Sequence, residues 1–343
     1  MGAPAQLLPD RMSALRFTRF GPPAEALTLA EVPLPALATS ESLVQVHAVG
    51  VNPSDVAMVA GRFGSALPGT PGRDFAGVVV SGPRTGEAVW GTAPGFGITR
   101  PGAEDAEYVA IPDAWLARKP DRLSMTDAAA VTLPYCTAWW AVIQTAGLSA
   151  GQTLLIVGGA GVVGQAASAI AAWKGATVIV ADQHPPSGSP AFVSTAETGF
   201  ASRVRALTDD RGVDVVLDMV GGPLLAPAMS TLRDGGQYVL MASPAGPEAT
   251  LDAAAFYRRR LRMTGVNMTA VGGAAIRDIL EELAPGFEAG SLTAPSTRGW
   301  PLAAAVGAYE AVAAGTGGIK QILYPGDAQL IDRPVGHTPK GTS

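Results

Sequence analysis

"LLIVGGAGVVGQAASAIAAW", residues 154–173, runs for twenty positions without a charge, which is the length and polarity of a helix that crosses a bilayer. Its interior argues otherwise. Gly158, Gly159, Gly161 and Gly164 fall within seven positions, and glycine at that density weakens a spanning helix while suiting a tight turn. Residues 153–157, just before the glycines, form a short apolar run of strand type. Residues 162–173 are alanine-rich and close on Lys174 and Gly175, a cation in the last turn and a glycine just beyond it. "ATVIVAD", residues 176–182, follows as a second buried strand ending in Asp182.

The order is therefore strand, glycine turn, helix, strand, acid, with Gly159-x-Gly161-x-x-Gly164 at the turn and Asp182 eighteen residues past the last glycine. In that context each glycine answers a separate need. Gly159 permits the turn, Gly161 lets backbone N–H groups approach a pyrophosphate, and Gly164 lets helix and strand pack closely. Val162 and Val163 open the helix, whose first turn offers unpaired donors and a positive dipole end to phosphates. Asp182 can accept from a ribose hydroxyl. The missing charges then reflect burial on both faces of a parallel sheet rather than contact with lipid. "GVDVVLDMVGG" (residues 212–222) and "GGQYVLMAS" (residues 235–243) read as further strands of the same doubly wound sheet. Ligands sit at the carboxyl ends of such strands. Met219, Val220 and Gly221, with Met241, Ala242 and Ser243, are thus candidates to border a nicotinamide.

A length of 343 residues suits two domains. With 48% hydrophobic and 15% charged residues the chain is built to fold. Its net charge of −5 provides no overall field for nucleic acid or an anionic membrane. The one basic cluster, "YRRRLR" at residues 257–262, reads as solvated surface or an edge device. Cys136 is the single cysteine, so no internal disulfide and no multi-cysteine metal site can form. Histidines number three, His47, His184 and His337, and His47 inside an alternating strand reads as structural. "MGAPAQLLPDRM" lacks a basic start followed by an apolar run, so a cytoplasmic location is expected. Short strands with close-spaced prolines and glycines before residue 120, such as "LVQVHAVGV" from residue 43, predict an all-β unit. Ser124 and Asp127 predict a capped helix opening the α/β part.

Seven ordered blocks carry a family resemblance: "VGVNPSDVAMVAGRFG" (residues 49–64), "PGTPGRDFAGVVV" (68–80), "GEAVWG" (86–91), "AEYVAIP" (106–112), "LPYCTAWWAV" (133–142), the glycine turn, and "GVDVVLDMVGG". Over roughly residues 12–325 the chain resembles the medium-chain dehydrogenase/reductase superfamily, in particular its zinc-free quinone oxidoreductase and enoyl reductase branch. The resemblance implies an α/β fold: a GroES-like β-barrel substrate domain over residues 1–123, a Rossmann domain over 124–269, and a return to the first domain, with a tail, over 270–343. It implies an NAD(P)H-dependent reductase that passes hydride to a quinone, enone or other conjugated carbonyl. It also implies a homodimer joined along the edge strand "RLRMTGVNM" (260–268). A non-redox enzyme or binding scaffold with an altered or lost cofactor pocket is the alternative.

Three departures refine this. At the positions where alcohol dehydrogenases of the superfamily hold catalytic zinc stand Asn52, Arg73, Asp74 and Leu133, so no zinc is expected. Where similar enoyl thioester reductases carry a proton-donating tyrosine, this chain reads Gly61-Arg62-Phe63, which leaves solvent, a substrate hydroxyl or Tyr135 as the proton source. After Asp182 roughly one helix of the usual length is missing, and no Lys or Arg occurs before Arg203. A carboxylate at Asp182 repels a 2′-phosphate, which tilts the expectation from NADPH toward NADH. By resemblance, Asn52 and Thr137 flank the nicotinamide, and Phe63, Tyr135, Trp139 and Trp140 supply an apolar wall. Asp55 and Asp74 read as loop stabilisers rather than proton carriers.

Overall fold

The computed structural model describes residues 8–93, 104–185, 191–315 and 317–326. His337 and most of the "HPPSGSP" stretch after Asp182 lie outside them.

The opening stretch folds in water. Thr153–Val157 is a strand buried at all five positions, and Val162–Trp173 is the helix that follows the glycines. Together with Thr177–Asp182 it begins a six-stranded sheet in which every pairing is parallel. Its spatial order is Phe192–Ser194, Thr177–Asp182, Thr153–Val157, Val213–Asp218, Leu232–Leu240, Arg262–Gly265. Such a Rossmann-type order places the switch point between Thr153–Val157 and Val213–Asp218, where connections leave in opposite directions and open a crevice at the strand ends. No helix among the described residues is long and apolar enough to cross a membrane.

Two local differences from expectation have simple causes. The strand read as residues 235–243 is observed at Leu232–Leu240, so Met241, Ala242 and Ser243 lie in the loop beyond it. The stretch after Asp182, expected to run straight into a helix, first forms the three-residue strand Phe192–Ser194, paired in parallel with Val180–Asp182. Three residues are about 10 Å of strand, too few for an alternating pattern to mark them in the sequence.

Besides the two-stranded antiparallel sheet Arg11–Phe17/Leu27–Pro33, a third sheet has seven strands in the order Thr297–Pro301, Lys320–Tyr324, Glu41–Val51, Asp74–Ser81, Ala88–Thr92, Ala117–Arg118, with Tyr108–Pro112 also paired to Glu41–Val51. Strands from residues 297–324 thus complete a sheet begun before residue 120. The helix Gly273–Glu288 covers the junction, burying Ile276, Ile279, Leu280, Leu283 and Phe287 at helical spacing against the helix Met125–Trp139 and the strands Ala88–Thr92 and Ala117–Arg118. Met125–Trp139 starts where its cap predicts, the Ser124 hydroxyl accepting from the Asp127 N–H at 3.0 Å. It packs on both Glu41–Val51 and the helix Val162–Trp173, and so ties the six- and seven-stranded sheets together.

Candidate active site

The three motif glycines are used differently. A Cβ on Gly159 would lie 2.6 Å from Val180 Cγ1, and one on Gly164 would lie 2.5 Å from Gly159 Cα. Both are glycine because protein packs against them. At Gly161 a Cβ would meet only the Gly158 carbonyl at 3.6 Å, and the residue is exposed at the N-cap of the helix. The first internal hydrogen bond of that helix runs from the Gln165 N–H to the Gly161 carbonyl, 2.9 Å. The N–H groups of Val162 and Val163 precede it and remain free to meet an anion. A cradle shaped this way fits a dinucleotide pyrophosphate.

Across the switch point, Gly158 turns at φ +86 and brings the end of its strand against Val220, whose Cγ2 would stand 3.1 Å from a Cβ there. The Asp218 carboxylate, fully buried, accepts from the Val220 and Gly221 N–H groups at 2.8 and 3.0 Å and so shapes the facing turn. Gly221, at φ +62, has no room for a side chain beside Ser243. The structure therefore brings Gly158, Val220, Gly221 and Ser243 to one crevice rim, with Ala242 exposed next to them. Asp182 reaches the glycine turn from the neighbouring strand: its Oδ2 accepts from the Ala160 N–H at 2.9 Å, and its Oδ1 from the Gln183 N–H at 2.7 Å. The carboxylate fastens the turn and keeps acceptor capacity for a hydroxyl.

Asn52 sits in a different setting from a free amide. Its Nδ2 faces the Gly50 carbonyl, Asp55 Oδ2 and Asp74 Oδ2 at 2.9–3.1 Å, and its Oδ1 accepts from Lys320 Nζ at 2.5 Å. Asp55 in turn takes Arg73 Nε at 2.9 Å, and Arg73 also meets the Ser54 hydroxyl. All of Asn52, Asp55, Arg73, Asp74 and Lys320 are at most 3% exposed. Two buried cations thus meet two buried carboxylates, and the amide of Asn52 joins the pairs.

On the Met125–Trp139 helix, Thr137 is 5% exposed and its hydroxyl has no partner among the described residues. Tyr135 donates to the Thr293 carbonyl at 2.7 Å and sets its ring against Phe287 at 4.9 Å, burial pushing its phenol up from the ordinary value. Trp139 packs on Trp173, 6.2 Å between rings, with the Lys174 ammonium over both. That is the far end of the helix from Gly161, about 18 Å along its axis. Trp140 is partly buried against the same core, and Phe63 is 41% exposed in the loop after Val59. Burial pushes the His47 imidazole down.

Sequence reasoning passed over Lys320, Gln165 and Asp218. Gln165 Nε2 donates to the Ala160 and Gly318 carbonyls at 2.9 and 3.3 Å, so the loop before Lys320 rests on the glycine turn. The only local signal was a lone lysine opening the apolar strand "KQILY" behind a glycine pair, which says nothing of a partner 268 positions earlier.

Residues 38–121 match the family model described as alcohol dehydrogenase GroES-like domain, and residues 162–284 the one described as zinc-binding dehydrogenase. A zinc-type alcohol dehydrogenase-like protein of Schizosaccharomyces pombe is 34% identical over 81% of this chain and 86% of its own length. A quinone oxidoreductase of Pongo abelii is 30% identical over 68% of this chain and 73% of its own. Among solved structures, an NAD-dependent alcohol dehydrogenase superposes with a TM-score of 0.82 at 28% identity, covering 92% of this chain and all of that one. A zinc ion does not fit the residues present. Both oxygens of Asp74 are filled by four donors, Arg73 brings a positive charge, and no group of three metal-binding side chains converges among the described residues.

Proposed function

Since the chain belongs to the medium-chain dehydrogenase/reductase superfamily, in its quinone oxidoreductase-like branch, and is an oxidoreductase, we propose that it reduces a quinone, enone or other conjugated carbonyl with NAD(P)H, without a metal. The observation that carries this reading is Gly161, a glycine that no contact among the described residues requires, at the head of a helix beside a switch-point crevice. When bound, the dinucleotide supplies the hydride.

The chain's own residues bind and orient. The Val162 and Val163 N–H groups hold the pyrophosphate, Asp182 holds the adenosine ribose, and Val220, Gly221, Ala242 and Ser243 border the nicotinamide ribose. The Thr137 hydroxyl, buried and unpartnered among the described residues, donates to the carboxamide or to the substrate oxygen as negative charge grows there. Asn52 acts through the backbone it fixes, since its amide is spent inside the protein. Of the four aromatics expected as an apolar wall, Tyr135 and Trp139 are spent on core packing against Phe287 and Trp173 and Trp140 packs on the same core, which leaves Phe63 to meet the substrate, and the proton comes from solvent.

The cofactor preferred in this reading is NADH. Arg203, the first cation after Asp182, is held by the Glu197 carboxylate and the Ser194 carbonyl, and Asp182 opposes a 2′-phosphate. Fluorescence titration should show NADH binding about tenfold tighter than NADPH, and 1,4-quinones or enones should then oxidise the bound cofactor. No saturable binding of either nucleotide, or no oxidation across a broad panel of acceptors, would count decisively against the assignment.

Two copies are proposed to join along Arg262–Gly265, an edge strand exposed at all four positions, because an open edge needs cover. Sedimentation velocity at micromolar concentration should give a dimer. A monomer at every concentration would remove this part.

A further inference from the structure

Pro134 lies inside the Met125–Trp139 helix, three residues before Thr137. A proline there removes one helical donor and crowds the preceding turn, so the helical pattern has to be re-established at that point. A carboxylate from another element does this. Asp74 Oδ1 accepts from the Leu133 N–H and from the Thr132 hydroxyl, both at 2.8 Å. This is the geometry of an N-cap, supplied by the first residue of a strand to the middle of a helix. The other oxygen, Oδ2, accepts from Asn52 Nδ2 and Lys320 Nζ, both at 2.9 Å. Asp74 and Thr132 are wholly buried, and Lys320 is 3% exposed.

We propose that Asp74 is a positioning residue for the Thr137 hydroxyl, capping the half-helix one turn before it, with Lys320 locking the carboxylate in place. The inference rests on the reading that Thr137 addresses the nicotinamide end of the cofactor. A buried ion pair adds little stability that apolar packing of equal volume would not supply, whereas it does fix one orientation. Here the orientation fixed is that of the turn whose next member is a buried hydroxyl with no partner among the described residues.

The test uses the full-length protein, with NADH as one probe and ADP-ribose, which lacks the nicotinamide, as the other. Asp74→Asn keeps one oxygen for Thr132 and Leu133 but turns an amide toward Lys320. It should weaken NADH about tenfold and change ADP-ribose by less than about twofold; Thr137→Val should do the same, and the double variant should lose no more than either alone. If Asp74→Asn does not fold, Thr132→Val decides, since it deletes only one anchor; a loss of about threefold for NADH and none for ADP-ribose is expected. Additive losses, equal losses for both probes, or folded variants binding NADH like the parent would overturn the proposal. Failure of the unsubstituted protein to bind NADH would remove the functional reading first, and this inference with it.

Discussion

Gly161→Asp is expected to reduce dinucleotide affinity by about 100-fold or more in a protein that remains folded. A carboxylate is a favoured helix N-cap, and the backbone here, φ −67 and ψ 162, suits any residue. Open space receives the new side chain, so the unfolding free energy should stay within about 1 kcal/mol of the parent or rise slightly. Yet the same carboxylate would take the N–H groups meant for phosphate and set a negative charge beside it. Like charges about 4 Å apart cost about 4 kcal/mol at an effective dielectric of 20, ample for the expected loss. NADH titration together with thermal unfolding reads both quantities. Undiminished affinity would mean that the helix start is not the phosphate site. Gly164→Ala offers the contrast: its Cβ would strike the backbone of Gly158 and Gly159, so that variant should lose stability first.

Stability should fall by about 3 kcal/mol between pH 5.5 and 8, and Asp105→Asn should remove much of that slope. Asp105 is fully buried, with Oδ2 accepting from the Tyr309 hydroxyl at 2.6 Å and Oδ1 unpartnered among the described residues. Burial pushes its carboxyl up to about 8; the Tyr309 hydrogen bond opposes this, and the nearby Asp55 and Asp74 charges add to it. The folded protein therefore keeps a proton that the unfolded chain releases near pH 4. This contribution is fully present below about pH 4, shrinks as pH rises, and is gone above about 8. Asparagine has no proton to lose, so the variant's curve should be flatter. Its residual slope combines Glu104, buried alongside and likewise pushed up, with His47, whose imidazole is pushed down and contributes with the opposite sign. Urea unfolding at several pH values measures the effect; parallel curves for parent and variant would refute it.

Local features were legible in the sequence because their physics is local. The glycine turn, its helix and Asp182 span thirty residues, and each glycine's reason lies within that span or on the adjoining strand. The Ser124 cap was readable for the same reason. What escaped was set by distant partners. Asn52 reads by resemblance as a neighbour of the nicotinamide, but its company comes from Asp74 and from Lys320. Tyr135 reads as a proton source until the Thr293 carbonyl, 158 positions on, is found at its hydroxyl. The strand Phe192–Ser194 was hidden by its length, since three residues give alternation no room to declare itself.

The lysine that completes the buried charge cluster also dictates when that cluster can exist during synthesis. A ribosome that has delivered the first 300 residues has made every acid in it, together with all six strands of the parallel sheet, but not the ammonium at position 320. The nucleotide half of the molecule can consolidate while translation continues. Its partner must wait with a carboxylate unmatched until that lysine follows, so the reactive seam assembles after the parallel sheet is already complete.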